Sequence, residues 1–219
     1  MVGQASSGAD PGAAGGARIG VMGGTFDPVH HGHLAAASEA GQAFGLDEVI
    51  FVPAGRPWQK EAAVMAPAED RYEMTVLATA TNPMFSVSRV DIDRPGETYT
   101  VDTLRDLRAE RGPAAEFYVI VGADTASTLR TWRSYEELFG IAHFIGCNRA
   151  GHRLARESAD PRIDLIEVPA LEISSSMCRE RVRAGRPIRY LVPDAVVDYI
   201  ADRGLYLGRD AHLARGGTA

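Results

Sequence analysis

Apolar and polar positions fall in blocks along the chain. Arg18–Met22 (RIGVM), Glu48–Ala54 (EVIFVPA), Glu116–Asp124 (EFYVIVGAD), Ala142–Ala150 (AHFIGCNRA) and Asp164–Ala170 (DLIEVPA) are short, nearly continuous apolar runs. Runs of this length bounded by Gly, Pro or polar residues predict strands buried on both faces. Phe85–Ile92 (FSVSRVDI) alternates and predicts a further strand. Between the runs, Leu34–Phe44, Ala68–Thr81, Thr98–Arg111, Ser174–Ala184 and Pro193–Gly204 have helical spacing.

Strands that alternate with helices across short connections predict an α/β fold. The expected architecture is a Rossmann-like, doubly wound, mostly parallel sheet with helices on both faces, in a single domain spanning residues 18–207. Met1–Ala17 holds five Gly and five Ala with no positive charge and no apolar stretch, so it reads as a disordered leader and not as a secretory signal. Residues 208–219 read as a flexible tail.

Composition narrows the function. The 219 residues are 45% hydrophobic and 24% charged, an ordinary globular balance. A net charge of −6 speaks against a general nucleic-acid binder, because phosphate backbones demand clustered cations. No apolar run reaches the length of a membrane-spanning helix. The two cysteines, Cys147 and Cys178, form no C-x-x-C pair, which fits reduced thiols and a cytoplasmic setting. Any anion this chain binds is therefore held by a local site.

In a doubly wound sheet such a site lies beyond the carboxyl ends of the strands. The first strand leads into Gly23-Gly24-Thr25-Phe26-Asp27-Pro28-Val29-His30-His31-Gly32-His33. The turn has neither the G-x-G-x-x-G spacing of a dinucleotide fingerprint nor the lysine of a Walker A loop. Gly23 and Gly24 permit close approach of backbone N–H groups to a phosphate. His30 and His33, three apart, share one face of the first helical turn, where free N–H groups and the helix dipole favour an anion. From the residues alone, one histidine could equally cap the helix. H-x-x-H supplies two metal ligands, one short of the three usual in catalytic zinc sites.

Three further segments carry chemistry. Ile173-Ser174-Ser175-Ser176-Met177-Cys178-Arg179 opens a helix whose serines and free N–H groups make an anion cradle, with Arg179 one turn in. Arg181, Arg183, Arg186 and Arg189 follow, as part of the same patch or as a solvated face. The 23 cations comprise 22 arginines and a single lysine, Lys60, in the loop after the second strand. A compact ammonium suits a charge that follows a developing phosphate charge, although one lysine must sit somewhere. Gly122-Ala123-Asp124 ends a strand; the Asp124 carboxylate suits ribose hydroxyls or a helix cap.

The run Gly23–His33 resembles the signature of the nucleotidyltransferases with an [HT]-x-G-H motif, and Ile173–Arg179 resembles that family's second signature, I-S-S-[ST]-x-x-R. Pro53–Lys60 is similar to the P-x-G-x-P-x-x-K loop of the bacterial nicotinate-nucleotide adenylyltransferases, with Gln59 where these usually carry His. Tyr99–Leu104 resembles their Y-T-x-x-T-L segment and Leu129–Trp132 their L-x-x-W segment. The likeness covers nearly all of Arg18–Gly204. The related phosphopantetheine enzyme typically has Thr where this chain has His30.

The resemblance implies adenylyl transfer from ATP to nicotinate mononucleotide, giving nicotinate adenine dinucleotide and pyrophosphate in NAD biosynthesis. A nicotinamide or other phosphate acceptor, or a nucleotide sensor without turnover, stands as an alternative. It implies His30, His33, Lys60 and Arg179 as catalytic residues, with His33 at the α-phosphate. It implies Gly23, Gly24, Thr25, Phe26, Gly122, Asp124, Ile173, Ser174, Ser175 and Ser176 as ATP contacts. Thr100 and Trp132 fall to the pyridine ring, where a tryptophan face can stack and backbone N–H donors favour a carboxylate. Mg²⁺ is expected bound to ATP and held by phosphates and water, without protein ligands. The expected partners are the two nucleotides, with no nucleic acid and no membrane, and room for a homo-oligomer.

Overall fold

The structure, a computed structural model, describes residues 16–57, 65–148, 155, 159–169 and 171–208. Six strands, β1 (Arg18–Gly24), β2 (Glu48–Pro53), β3 (Phe85–Val87), β4 (Glu116–Gly122), β5 (His143–Asn148) and β6 (Ile163–Glu167), form one sheet. Their order is β3-β2-β1-β4-β5-β6, and every neighbouring pair is parallel. Parallel neighbours need crossovers. These contain α1 (His31–Phe44), α2 (Ala68–Thr79), α3 (Val90–Asp93) with α4 (Thr100–Arg111), and α5 (Ala123–Thr128) with α6 (Tyr135–Ile141). After β6 come α7 (Ser175–Arg183) and α8 (Asp194–Arg203). The doubly wound, mostly parallel sheet expected from the sequence is observed, and all its strand pairs are parallel.

Successive strand residues point to opposite faces, and this splits the core in two. Met22, Phe51, Ile120 and Ile145 pack with Ala37 of α1, Met74 of α2 and Ile200 of α8. Their chain neighbours Val21, Ile50, Val119 and Phe144 pack with Leu104 and Leu107 of α4 and Leu138 of α6. Both faces of the central strands are buried, which is why those strands read as unbroken apolar runs.

Three expectations need correction. The alternating segment Phe85–Ile92 is a strand only to Val87. Beyond it the Val90 N–H donates to the Ser88 hydroxyl at 3.3 Å, and Arg94 pairs with Asp91, so the polar residues close the short helix α3 instead of extending the ladder. The run Glu116–Asp124 ends as a strand at Gly122 and turns directly into α5, while α6 fills a stretch with no predicted element. Both helices are too short for a 3.6-residue period to stand out. The first helix starts at His31 rather than after His33. Of the leader and tail, only Gly16, Ala17 and Gly208 are among the described residues, and Lys60 with its loop neighbours at 58–64 lies outside them.

The strand order reverses between β1 and β4, so the crevice at their carboxyl ends is the topological switch point. Gly24 and Gly122 stand at those two ends.

Candidate active site

The turn after β1 is held from within. Phe26 has a left-handed φ of 50°, which a non-glycine residue adopts only under constraint. Its buried ring meets the edge of His33 at 5.1 Å and tilts against Phe51 at 5.7 Å. A Cβ on Gly24 would lie 2.9 Å from the Phe26 ring, whereas one on Gly23 would meet nothing within 4 Å. Protein packing therefore explains glycine at 24, and the open space above Gly23 faces the crevice.

His30 is the N-cap of α1 and His33 its third residue. The His30 backbone N–H donates to His33 Nδ1 at 3.2 Å, and the two rings stack with centroids 3.7 Å apart. Because Nδ1 accepts, the neutral His33 ring carries its proton on Nε2. The His31 N–H at the head of the helix is bound by the Leu191 carbonyl at 3.0 Å, so it does not contribute to an anion cradle there.

The second signature closes on this turn. Ser174 caps α7 by accepting from the Met177 N–H at 3.1 Å. The Ser175 hydroxyl donates to the Pro28 carbonyl at 2.8 Å. Arg179 donates from Nη1 to the Asp27 carbonyl at 2.7 Å and from Nη2 to Ser176 Oγ at 3.2 Å. Imidazoles and guanidinium thus converge on one side of the molecule.

Beneath them lie residues that sequence reasoning passed over. The buried Asp27 carboxylate accepts from the Met65 and Ala66 N–H groups at 2.8 and 3.1 Å and from the Tyr206 hydroxyl at 2.7 Å. Its Oδ2 also lies 3.7 Å from Arg179 Nη1. Burial and the Asp27 charge push the Tyr206 hydroxyl well above the usual tyrosine range. Arg71, on α2 and 1% exposed, donates to the carbonyls of Thr25 at 2.7 Å, Gly55 at 3.1 Å and Ala66 at 3.3 Å. Burial lowers its pKa, with Asp27 and Tyr206 acting in the opposite direction. One guanidinium therefore ties the loops after β1 and β2 together. Asp27 was visible inside the turn; nothing in an amphipathic helical pattern marks Arg71 as a core residue.

A cavity of about 660 Å³ runs from these groups across the sheet's switch point. Gly23, Gly24, Thr25, Phe26, His30 and His33 border it from the first turn. Ile173, Ser174, Ser175, Ser176 and Arg179 border it from the last. Gly122 and Asp124 border it at the end of β4, with Thr100 and Trp132 beyond. Gly122 is the N-cap of α5, so Asp124 is not a cap; its Oδ1 would lie 2.8 Å from a Cβ placed on Gly122. Trp132 is half-buried and also packs on the α4–α6 core. On the same wall, buried Asp91 accepts from the Thr103 hydroxyl at 2.7 Å and from Arg94. Burial raises its pKa, and these two partners oppose the rise. Cys147 borders the cavity as a buried thiol whose pKa burial pushes up to about 12. Among the described residues no group of three His, Cys, Asp or Glu side chains is placed to hold a metal ion.

A switch-point cavity with stacked histidines at one helix head and a serine–arginine cradle at another defines a nucleotidyltransferase-type α/β protein. The cytidylyltransferase-like family model matches residues 21–181. Relatives described as probable nicotinate-nucleotide adenylyltransferases share 60% identity in Acidothermus cellulolyticus, over 89% of this chain and 96% of the relative. The figures for Saccharopolyspora erythraea are 62%, 88% and 91%. The chain belongs to the nicotinate-nucleotide adenylyltransferase family. The fold is shared with a Plasmodium falciparum nicotinic acid mononucleotide adenylyltransferase complexed with NaAD, at TM-score 0.74 and 22% identity over 87% of this chain and 97% of that one.

Proposed function

We propose that the protein transfers the adenylyl group of ATP to nicotinate mononucleotide, releasing pyrophosphate and forming nicotinate adenine dinucleotide. The observation that carries this reading is the 2.7 Å hydrogen bond from Arg179 to Asp27, which puts the serine–arginine cradle and the stacked histidines on one cavity. The names of its relatives support the choice of acceptor.

The acceptor's phosphate oxygen attacks the α-phosphorus of ATP, and the bond to the pyrophosphate oxygen breaks. No protein nucleophile is needed, so catalysis consists of positioning and charge stabilisation. The His33 ring, with Nε2 protonated, donates toward the α-phosphate; the neighbouring His30 ring stacks on it. The head of α7 and Arg179 receive the departing pyrophosphate, and the expected role of Lys60 is the same. Asp124 faces the ribose hydroxyls. Thr100, at the head of α4, and Trp132 take the pyridine ring. ATP enters as its magnesium complex, with the ion held by phosphates and water.

The test is pyrophosphate release by purified protein with ATP and a panel of mononucleotide acceptors. Highest kcat/KM for nicotinate mononucleotide is expected. Release with no acceptor in the panel, or equal release with every phosphate acceptor, refutes the proposal.

A further inference from the structure

Among the described residues, two arginines border the cavity, one at each end. Arg179 serves the phosphate end. Arg133 stands beside Trp132, where the ring of the acceptor is placed under the proposed function, on which this inference rests. Its guanidinium carbon lies 4.8 Å from the centroid of the Tyr99 ring, and Nη1 lies 3.6 Å from Asp102 Oδ2. Tyr99 is the N-cap of α4 and Asp102 lies in its first turn, so both contacts hold Arg133 near the head of that helix. Asp102 is shared with Arg105 at 3.0 Å and does not pair with Arg133 alone.

We infer that Arg133 is a specificity-determining residue that selects an acceptor bearing a ring carboxylate over one bearing a carboxamide. A planar guanidinium matches a carboxylate in charge and in fork geometry, and a neutral carboxamide offers a single weaker acceptor. The Tyr99 ring underlies the guanidinium, and Asp102 Oδ2 lies 3.6 Å from one of its nitrogens. The positive end of the α4 dipole supplies field of the same sign. Arg133 thus matches an acceptor that is anionic at its ring, while Arg179 serves the phosphates of ATP.

Kinetics with ATP and either nicotinate or nicotinamide mononucleotide test this in wild type, Arg133→Ala, Arg133→Glu and Arg133→Lys. Arg133 is largely exposed, so these variants fold. For Arg133→Ala, kcat/KM for the acid falls roughly tenfold, the size of one charge-assisted contact, and the amide value holds. Arg133→Glu lowers the acid-to-amide ratio further, and Arg133→Lys recovers most of it. Equal losses on both acceptors overturn the inference, because the cation then serves the phosphate they share. An unchanged ratio in Arg133→Glu also overturns it. Calorimetric titration with each mononucleotide reads the same ratio without turnover. Acid-selective binding that depends on Arg133, without transfer, refutes the proposed reaction alone; equal wild-type binding of both overturns the inference.

Discussion

Arg179 Nη1 donates to the carbonyl of Asp27, a residue 152 positions earlier, at 2.7 Å, with the Asp27 carboxylate 3.7 Å away. The last helix but one and the first turn thereby border one cavity, the one proposed to take the phosphates of ATP. A lysine cannot span Asp27 and Ser176 together, since it lacks the fork. In Arg179→Lys, kcat/KM for ATP is expected to fall about tenfold to a hundredfold with the acceptor KM little changed. Steady-state kinetics with each substrate varied in turn check this.

His33 owes its tautomer to the His30 backbone N–H, which occupies Nδ1 at 3.2 Å. Its Nε2–H is the donor assigned to the α-phosphate. His33→Ala should lower kcat by about 10²–10³, the usual loss for one transition-state donor. The far-UV spectrum and melting temperature should change little. A near-normal kcat rejects the assignment.

Arg71 satisfies three carbonyls from the core. Arg71→Met keeps much of the volume and strands all three, at a cost of about 1–3 kcal/mol per buried polar group. A loss of at least about 3 kcal/mol corresponds to a fall in Tm of roughly 10 °C in a domain of this size. Thermal melting of wild type and variant, with and without ATP, measures it.

Cys147 has its pKa raised from 9.0 to about 12 by burial alone. Between these values the folded state holds the proton and the unfolded state releases it, so stability falls as pH rises. Below pH 9 this group adds no slope. Denaturant unfolding from pH 8 to 11 should therefore show a flat region and then a decline, and the decline should be shallower in Cys147→Ala. An unaltered slope in the variant shows that other groups carry the alkaline loss.

The strands were legible because burial on both faces writes itself as unbroken apolar runs, as in Val49–Val52. Gly23–His33 and Ile173–Arg179 were legible because the residue types suited to phosphate, glycines, helix-head serines and cations, stand close together in the chain. Arg71 and Tyr206 were not, since Arg71 reaches the carbonyls of Thr25 and Gly55 in other loops, and Tyr206 reaches Asp27 at the other end of the chain. The helices α5 and α6 escaped because six or seven residues carry too little periodicity.

By itself the sequence determined the α/β alternation, the residues proposed to hold phosphate and the family resemblance, because these depend on local spacing and side-chain chemistry. Tertiary structure alone decided that β1 and β4 lie side by side at the switch point, that Arg179 meets Asp27, and that Arg133 stands at the opposite end of the cavity. Such pairings follow from how crossovers stack on the sheet, and no local pattern encodes a contact between residues more than a hundred positions apart.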